Sequence, residues 1–255
     1  MPLQWDAWDA FPLLRWQGPD GVVAAFSGRR GGVSTGPYAA LNLGLLTDDD
    51  RDAVRENRRR LCAAVGADPA RTAQNHQVHG ALVREAAPLP GGFLDPEGEL
   101  PPADALVTRE AELALVALAA DCVPIVVAAL DGSAVAVVHA GWRGLVAGVV
   151  EAAVAAIDGP CAAAVGPCAG PLAYAVGDDV AGPLRERFGA EAAHGGTADL
   201  PHCAGRALLA AGLAPDAIDI ACICTITDAE GFFSHRRDGG VTGRQGVIAY
   251  RAGDA

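Results

Sequence analysis

The longest apolar stretch of the chain, Leu113 to Leu130, is broken by Asp121 and Pro124, and a second, Ser133 to His139, follows across Asp131-Gly132. Asp-Gly is a dipeptide that two-residue hairpin turns favour, because both central residues take positive φ there. The pattern therefore predicts an antiparallel hairpin. If Leu130 pairs with Ser133, partner numbers sum to 263 and His139 stands opposite Pro124. Cys122 is then the diagonal neighbour of His139 on the same face, with backbones roughly 7–8 Å apart, and Asp121 points the other way. A proline inside the strand is a candidate bulge that would shift this register.

The stretch Thr47 to Gly66 reads as a solvated helix, with acids Asp48 to Asp50 at its start, Arg58 to Arg60 near its end and Gly66 as stop. Gly144 to Ile157 is alanine-rich and free of proline, which predicts a helix just after the GWRG turn. Further helices are expected over Asp178 to Phe188 and His202 to Gly212, and strands over Ala103 to Thr108, Cys161 to Pro167 and Ile218 to Thr225. Phe26 to Gly36 and Pro88 to Pro102 read as loops. Hairpins mixed with alternating helices and strands indicate an α+β protein, with mixed β-sheets flanked by helices. No repeat and no low-complexity linker divides the chain, so residues 1–255 are read as a single domain.

Half the residues are apolar and a fifth are charged, ample for a packed core. A net charge of −12 opposes binding nucleic acid through its phosphates. Met1 to Leu14 carries Asp6 and Asp9 and lacks the basic-then-apolar order of a secretory signal. Asp121 at mid-span argues against Leu113 to Leu130 crossing a membrane. Seven cysteines without a CxxC pair fit reduced thiols, most of them in the core, and a cytoplasmic location.

The facing pair Cys122 and His139 could share one metal ion, with bonds of about 2.3 Å to sulfur and about 2.0 Å to nitrogen. The segment NHQVHG offers His76 or His79 as a third donor. Two histidines and a cysteine leave one tetrahedral position open, the pattern of catalytic Zn²⁺, although blue-copper sites also use His₂Cys. Arg29 and Arg30, Arg143, and Arg236, Arg237 and Arg244 lie in or beside glycine turns or a helix start, where N–H groups and guanidinium forks can hold phosphate. Neither glycine cluster has Walker or Rossmann spacing.

Taken in order and spacing, FSGRRGGVSTGPYAALNLG, QVHG, ADALVT, ADCVPIVV, VVHAGWRGLVAG and FFSHRRDGGVTGR resemble the laccase-domain purine nucleoside phosphorylases, the YfiH family, over nearly the whole chain. The resemblance implies a YfiH-like fold, with His79, Cys122 and His139 as zinc ligands in preference to His76. It implies phosphorolysis of adenosine, inosine, guanosine and methylthioadenosine, with adenosine deamination as a second activity. Arg29, Asn42, Gln77, Arg143 and Arg237 match motif positions as candidates for binding phosphate or substrate, and Asp121 as a candidate for proton transfer or for supporting the ligands. The chain departs from the family pattern at Ala175, where an acid is expected, and at His235, where an aromatic is usual.

Three other readings compete. Cys122 and His139 could form the dyad of a cysteine hydrolase, a deamidase or a peptidoglycan-editing enzyme. The family's older name, multicopper polyphenol oxidase, requires a histidine-rich copper cluster that six histidines do not convincingly supply. A non-catalytic protein with a structural metal and a partner-binding surface is disfavoured by the open coordination position.

Overall fold

The computed structural model describes residues 2–6 and 11–253, so Asp9 of the N-terminal reading lies outside it. In chain order come strands β1 (Leu3–Trp5), β2 (Leu13–Trp16) and β3 (Val22–Ser27), helix α1 (Arg51–Val65), and strands β4 (Thr72–Gln74), β5 (Val83–Glu85), β6 (Ala105–Thr108), β7 (Ala114–Ala119), β8 (Val123–Ala129) and β9 (Val135–Ala140). Helices α2 (Trp142–Ala147) and α3 (Val149–Ala155) precede β10 (Cys161–Val165), α4 (Asp178–Phe188), the short pair β11 (Ala193–His194) and β12 (Thr197–Ala198), α5 (Leu200–Ala210), β13 (Ile218–Ile220) and β14 (Gln245–Arg251).

Two six-stranded sheets result, ordered β1-β2-β3-β14-β7-β4 and β13-β10-β8-β9-β6-β5. Both are mixed: their parallel pairs, β4 with β7, β5 with β6 and β10 with β13, lie at the edges. The sheets pack face to face through Phe26, Leu115 and Val247 of the first and Val126, Val137 and Ala162 of the second. Helices α2 to α5 cover the outer face of the second sheet and α1 that of the first, giving four layers, α/β/β/α. This is the α+β arrangement of mixed sheets and flanking helices that the pattern predicts. Among the described residues no helix is long and apolar enough to cross a membrane.

The apolar run Leu113 to Leu130 is not one strand but two, in different sheets. Leu115 and Ala117 face the second sheet while Ala114, Val116 and Leu118 face α1. Farther along, Val126 and Ala128 face the first sheet while Ile125 and Val127 face the helices. Burial on both faces removes the alternation that would have separated them. The chain changes sheets at residues 120–122, where Asp121 has a φ of 85°.

The β8–β9 hairpin has the predicted register, with Pro124 opposite His139. Its loop is longer than the predicted turn: the Ala129 N–H bonds the Ala134 carbonyl and the Gly132 N–H bonds the Ala129 carbonyl, leaving the partner sum unchanged. Pro124 produces no bulge. Its carbonyl accepts the Gly166 N–H at 2.9 Å, so the missing proline N–H falls toward β10 at the end of that ladder.

Three further elements differ from expectation. The helix after the GWRG turn starts earlier, at Trp142, and left-handed Gly148 divides it into α2 and α3. The strand at Ile218 stops at Ile220. Helix α1 is capped by the Asp50 carboxylate on the Ala53 N–H and ended by left-handed Gly66 as read, but it begins at Arg51 and is not solvated all round. Arg58 is 1% exposed, donates to the Leu43 carbonyl (2.8 Å), the Phe93 carbonyl (2.6 Å) and Gln74 Oε1 (3.1 Å), and lies over the Phe93 ring. Arg58→Met, which strips three buried acceptors of their donors, is expected to lower unfolding free energy by about 3 kcal/mol. Urea unfolding checks this, and a loss under about 1 kcal/mol would mean the acceptors find other partners.

Candidate metal centre and cleft

The site forms where neighbouring strands β6, β9 and β8 end at the edge of the gap between the sheets. Ala105 pairs with Val138, and the His139 N–H bonds the Asp104 carbonyl at 2.7 Å, so Asp104 and Pro124 flank His139 on either side. Asp104 Oδ1 lies 2.8 Å from His139 Nδ1. The same carboxylate accepts the N–H groups of His79 (2.9 Å), Gly80 (2.7 Å) and Val78 (3.3 Å), holding His79 in a left-handed turn at φ 60°. One buried acid therefore orients both histidines.

The donor atoms of His79, Cys122 and His139 lie within 4.8 Å of one another, the one such cluster of three among the described residues. His76 lines the nearby cleft but does not join them. Bonds of about 2.0–2.3 Å to an ion draw such donors together by roughly 1 Å. A Cβ at Gly141 would sit 2.9 Å from His79 Cδ2 and 3.1 Å from Cys122 Sγ, so only glycine leaves room for this grouping.

Burial alone would raise the Cys122 thiol, but the charge and hydrogen bond of His139 and the contact with His79 outweigh it and bring it down to about 6. Burial alone would lower His139, yet the Cys122 thiolate and the Asp104 carboxylate push it up to about 9. Burial would also raise Asp104, but its hydrogen bonds with His139 and with the Gly80 N–H hold it below the usual carboxylate range. The cluster thus favours the thiolate, the form in which cysteine binds metals.

These donors open onto a cavity of about 980 Å³, at the large end for small-molecule sites. Arg143 stacks on Trp142 and Arg236 on Tyr174, and all four line the cleft, as does His235. Arg236 also bonds the carbonyl of Ala175. Gln77 forms part of the wall, clamped to Leu118 by bonds of 2.6 and 2.8 Å. Asp121 lines the cleft too, and its carboxylate takes three donors, Thr225 Oγ1 (2.7 Å), Ser234 Oγ (3.0 Å) and the Arg236 N–H (2.7 Å).

Arg29, Asn42 and Arg237 are not part of the lining. Arg29 bonds the Ala39 and Ala229 carbonyls, and Arg237 bonds Asp238 and the Thr225 and Phe232 carbonyls. Asn42 is fully buried, where it ties Thr47 and Asp49 to the Gly44 and Arg244 N–H groups. Asp104 is the residue that sequence reasoning missed. Its one signal was an acid directly ahead of a short apolar strand, which gains meaning only once β6 is placed beside β9.

A four-layer fold with a His-Cys-His cluster at the mouth of its inter-sheet gap defines a class of candidate metal-site proteins. Residues 23–252 match the family model described as multi-copper polyphenol oxidoreductase laccase. The chain is 43% identical over 237 residues to a purine nucleoside phosphorylase of Xylella fastidiosa, covering 88% of this chain and 90% of that one. It is 39% identical over 237 residues to the Escherichia coli purine nucleoside phosphorylase YfiH, covering 88% and 92%. The crystal structure of YlmD from Geobacillus stearothermophilus superposes with a TM-score of 0.89 at 34% identity, covering 98% of this chain and 99% of that one. The chain belongs to the YfiH, or laccase-domain, family.

Proposed function

We propose that the chain is a zinc-dependent purine nucleoside phosphorylase, acting on adenosine, inosine, guanosine and S-methyl-5'-thioadenosine, with adenosine deamination as a second activity. The observation that carries this reading is the His79, Cys122 and His139 cluster opening into a cleft rich in arginine and aromatic side chains, in a chain whose relatives bear the phosphorylase name. The donor set fits Zn²⁺: Asp104 occupies His139 Nδ1, so Nε2, which faces Cys122, would bind an ion on giving up its proton, the thiolate is favoured, and three protein donors leave a position open. When bound, the ion supplies Lewis acidity and an ionisable water. Copper suits the same three donors as the second choice.

The chain's own residues do the rest. Asp104 keeps both histidines aimed at one point. Trp142 and Tyr174 offer aromatic surface for a purine, and Arg143 and Arg236, stacked on them, bring positive charge toward it. Asp121, with both oxygens engaged, holds the 120–122 corner that presents Cys122 and keeps the Arg236 backbone beside it. Gln77 forms part of the wall, whereas Asn42, Arg29 and Arg237 brace their own loops through main-chain bonds. The net charge of −12 opposes nucleic acid, while the cleft arginines supply local positive charge for a small anion. The seven free thiols support a reducing, cytoplasmic setting.

The deciding experiment incubates the zinc-loaded protein with adenosine, with and without inorganic phosphate, and separates adenine from inosine by chromatography. Adenine that forms only with phosphate is the expected main product, with some inosine in either arm. Failure to form adenine in the presence of phosphate would overturn the phosphorylase reading.

One observation favours a second reading. Asp104, His139 and Cys122 stand in the order of a thiol hydrolase's acid, base and nucleophile, with a depressed thiol and an oriented imidazole. That chemistry has no use for His79, which is where the two readings part.

A further inference from the structure

Arg58, Arg143, Arg236 and Arg244 line the cleft, and among the described residues none has a carboxylate within ion-pair distance. Arg51, which also lines it, is paired with Asp95. Two of the four belong to one built corner. Arg58 Nε donates to the Leu43 carbonyl, and the Arg244 carbonyl accepts the Leu43 N–H at 2.9 Å. Asn42 Oδ1 accepts the Arg244 and Gly44 N–H groups at 2.8 and 2.9 Å. Gly44 packs so closely that a Cβ there would meet Arg244 Cγ at 2.9 Å and Thr47 Cγ2 at 3.2 Å.

This corner has donors to spare. The Arg244 guanidinium bonds only through Nη1, to the Thr242 and Gly243 carbonyls, so Nε and Nη2 have no acceptor among the described residues. The N–H groups of Leu45 and Leu46, in the turn that closes from Thr47 back to the Gly44 carbonyl, likewise donate to no described residue. Behind them lies the charge of Arg58, almost fully buried and bonded to three neutral acceptors. Such a charge acts through a low dielectric and favours an anion at the adjacent surface. Burial lowers Arg244 itself, while Cys122 and Asp121 pull it back up, so the guanidinium sits within electrostatic reach of the metal donors.

We infer that the Gly44–Thr47 end of the cleft is an oxyanion subsite, in which Arg244, backed by the buried charge of Arg58, receives a phosphoryl group. The subsite deepens the proposed function and rests on it for the occupant, inorganic phosphate. The 5'-phosphate of a nucleoside monophosphate has the same chemistry. Arg29 and Arg237, whose guanidinium groups are spent on carbonyls and Asp238, are not its anchors.

The test uses the wild-type, zinc-loaded protein. Arginines are modified with phenylglyoxal and located by peptide mass spectrometry, with no addition, with millimolar inorganic phosphate, or with adenosine 5'-monophosphate. Inorganic phosphate is expected to slow modification of Arg244 roughly fivefold or more while changing Arg143 less than about twofold. Protection of Arg143 instead, or of neither, would overturn the subsite. Protection of Arg244 by the monophosphate alone would overturn inorganic phosphate as its occupant.

Kinetics give an independent reading. Arg244→Gln is expected to raise KM for phosphate roughly tenfold with KM for adenosine within about twofold, and Arg244→Lys to recover part of the loss. An unchanged phosphate KM in folded Arg244→Gln would overturn the subsite while leaving the phosphorylase reading intact. Phosphate protection of Arg244 in a protein that cleaves no nucleoside would do the reverse.

Discussion

Cys122→Ser is expected to give a folded protein that no longer holds zinc. The hydroxyl is rarely ionised at neutral pH and is a poor zinc ligand, whereas the thiolate in this pocket is favoured by the neighbouring imidazoles. Metal affinity should fall a hundredfold or more, on the order of 3 kcal/mol. Serine also places a hydroxyl beside the apolar start of β8, at a cost of roughly 1–3 kcal/mol unless it finds a partner. Stability and metal content must therefore be measured separately, by unfolding and by elemental analysis. If the metal organises the reaction, nucleoside turnover should follow occupancy, and His79→Ala and His139→Ala should behave alike. Should His79→Ala without metal keep full turnover while Cys122→Ser and His139→Ala lose it, the thiol-hydrolase reading would replace the zinc one.

Asp104→Ala should have the second large effect, because this carboxylate is bonded to both histidine ligands at once. Its removal leaves the His79, Gly80 and Val78 N–H groups and His139 Nδ1 without their acceptor in a residue position only 2% exposed. The expected result is a fall of about 10–100-fold in metal affinity together with a stability loss of roughly 2–4 kcal/mol. Asp104→Asn separates the two roles. Its carbonyl can still accept from the His79 turn, so most of the stability should return, but a neutral amide on Nδ1 makes the ligating His139 imidazole less basic than a carboxylate does. Zinc affinity by competition with a chromogenic chelator and unfolding by urea give both readouts. Equal zinc affinity in Asp104→Asn, Asp104→Ala and wild type would show that the carboxylate does not position the ligands.

The parts of this site that were legible in the sequence are those fixed by local register. One Asp-Gly turn between two apolar runs is enough to place Cys122 beside His139, because the partner sum survives a change in loop length and a proline at the ladder's end. His79 was not legible in that way. Its segment offered two histidines, and only the family resemblance chose between them. Asp104 depends on the pairing of β6 with β9, a contact between segments about 30 residues apart, and no local pattern announces such pairing.

The division of Leu113–Leu130 between two sheets was hidden because strands buried on both faces carry no alternation. β14, central to the first sheet, went unread as QGVIAYR between glycine-rich loops and the chain end. Arg58 was hidden by its type, since a charged residue on an amphipathic helix reads as solvated until Leu43, Phe93 and Gln74 are seen to enclose it. The arginines of the glycine-rich motifs show the limit from the other side. Composition marks them all as anion candidates, and only the hydrogen bonds distinguish Arg29 and Arg237, engaged within their loops, from Arg143, Arg236 and Arg244 in the cleft.

The most direct test of the metal-dependent phosphorylase reading is a zinc titration of chelator-stripped, still-folded protein, with phosphate-dependent release of adenine from adenosine measured at each step. Activity is expected to be near zero at the start, to rise in proportion to bound zinc, and to level off at about one ion per chain, as a single three-donor centre requires. Full phosphate-dependent turnover in the stripped protein, or a plateau reached only at two or more ions per chain, would contradict it.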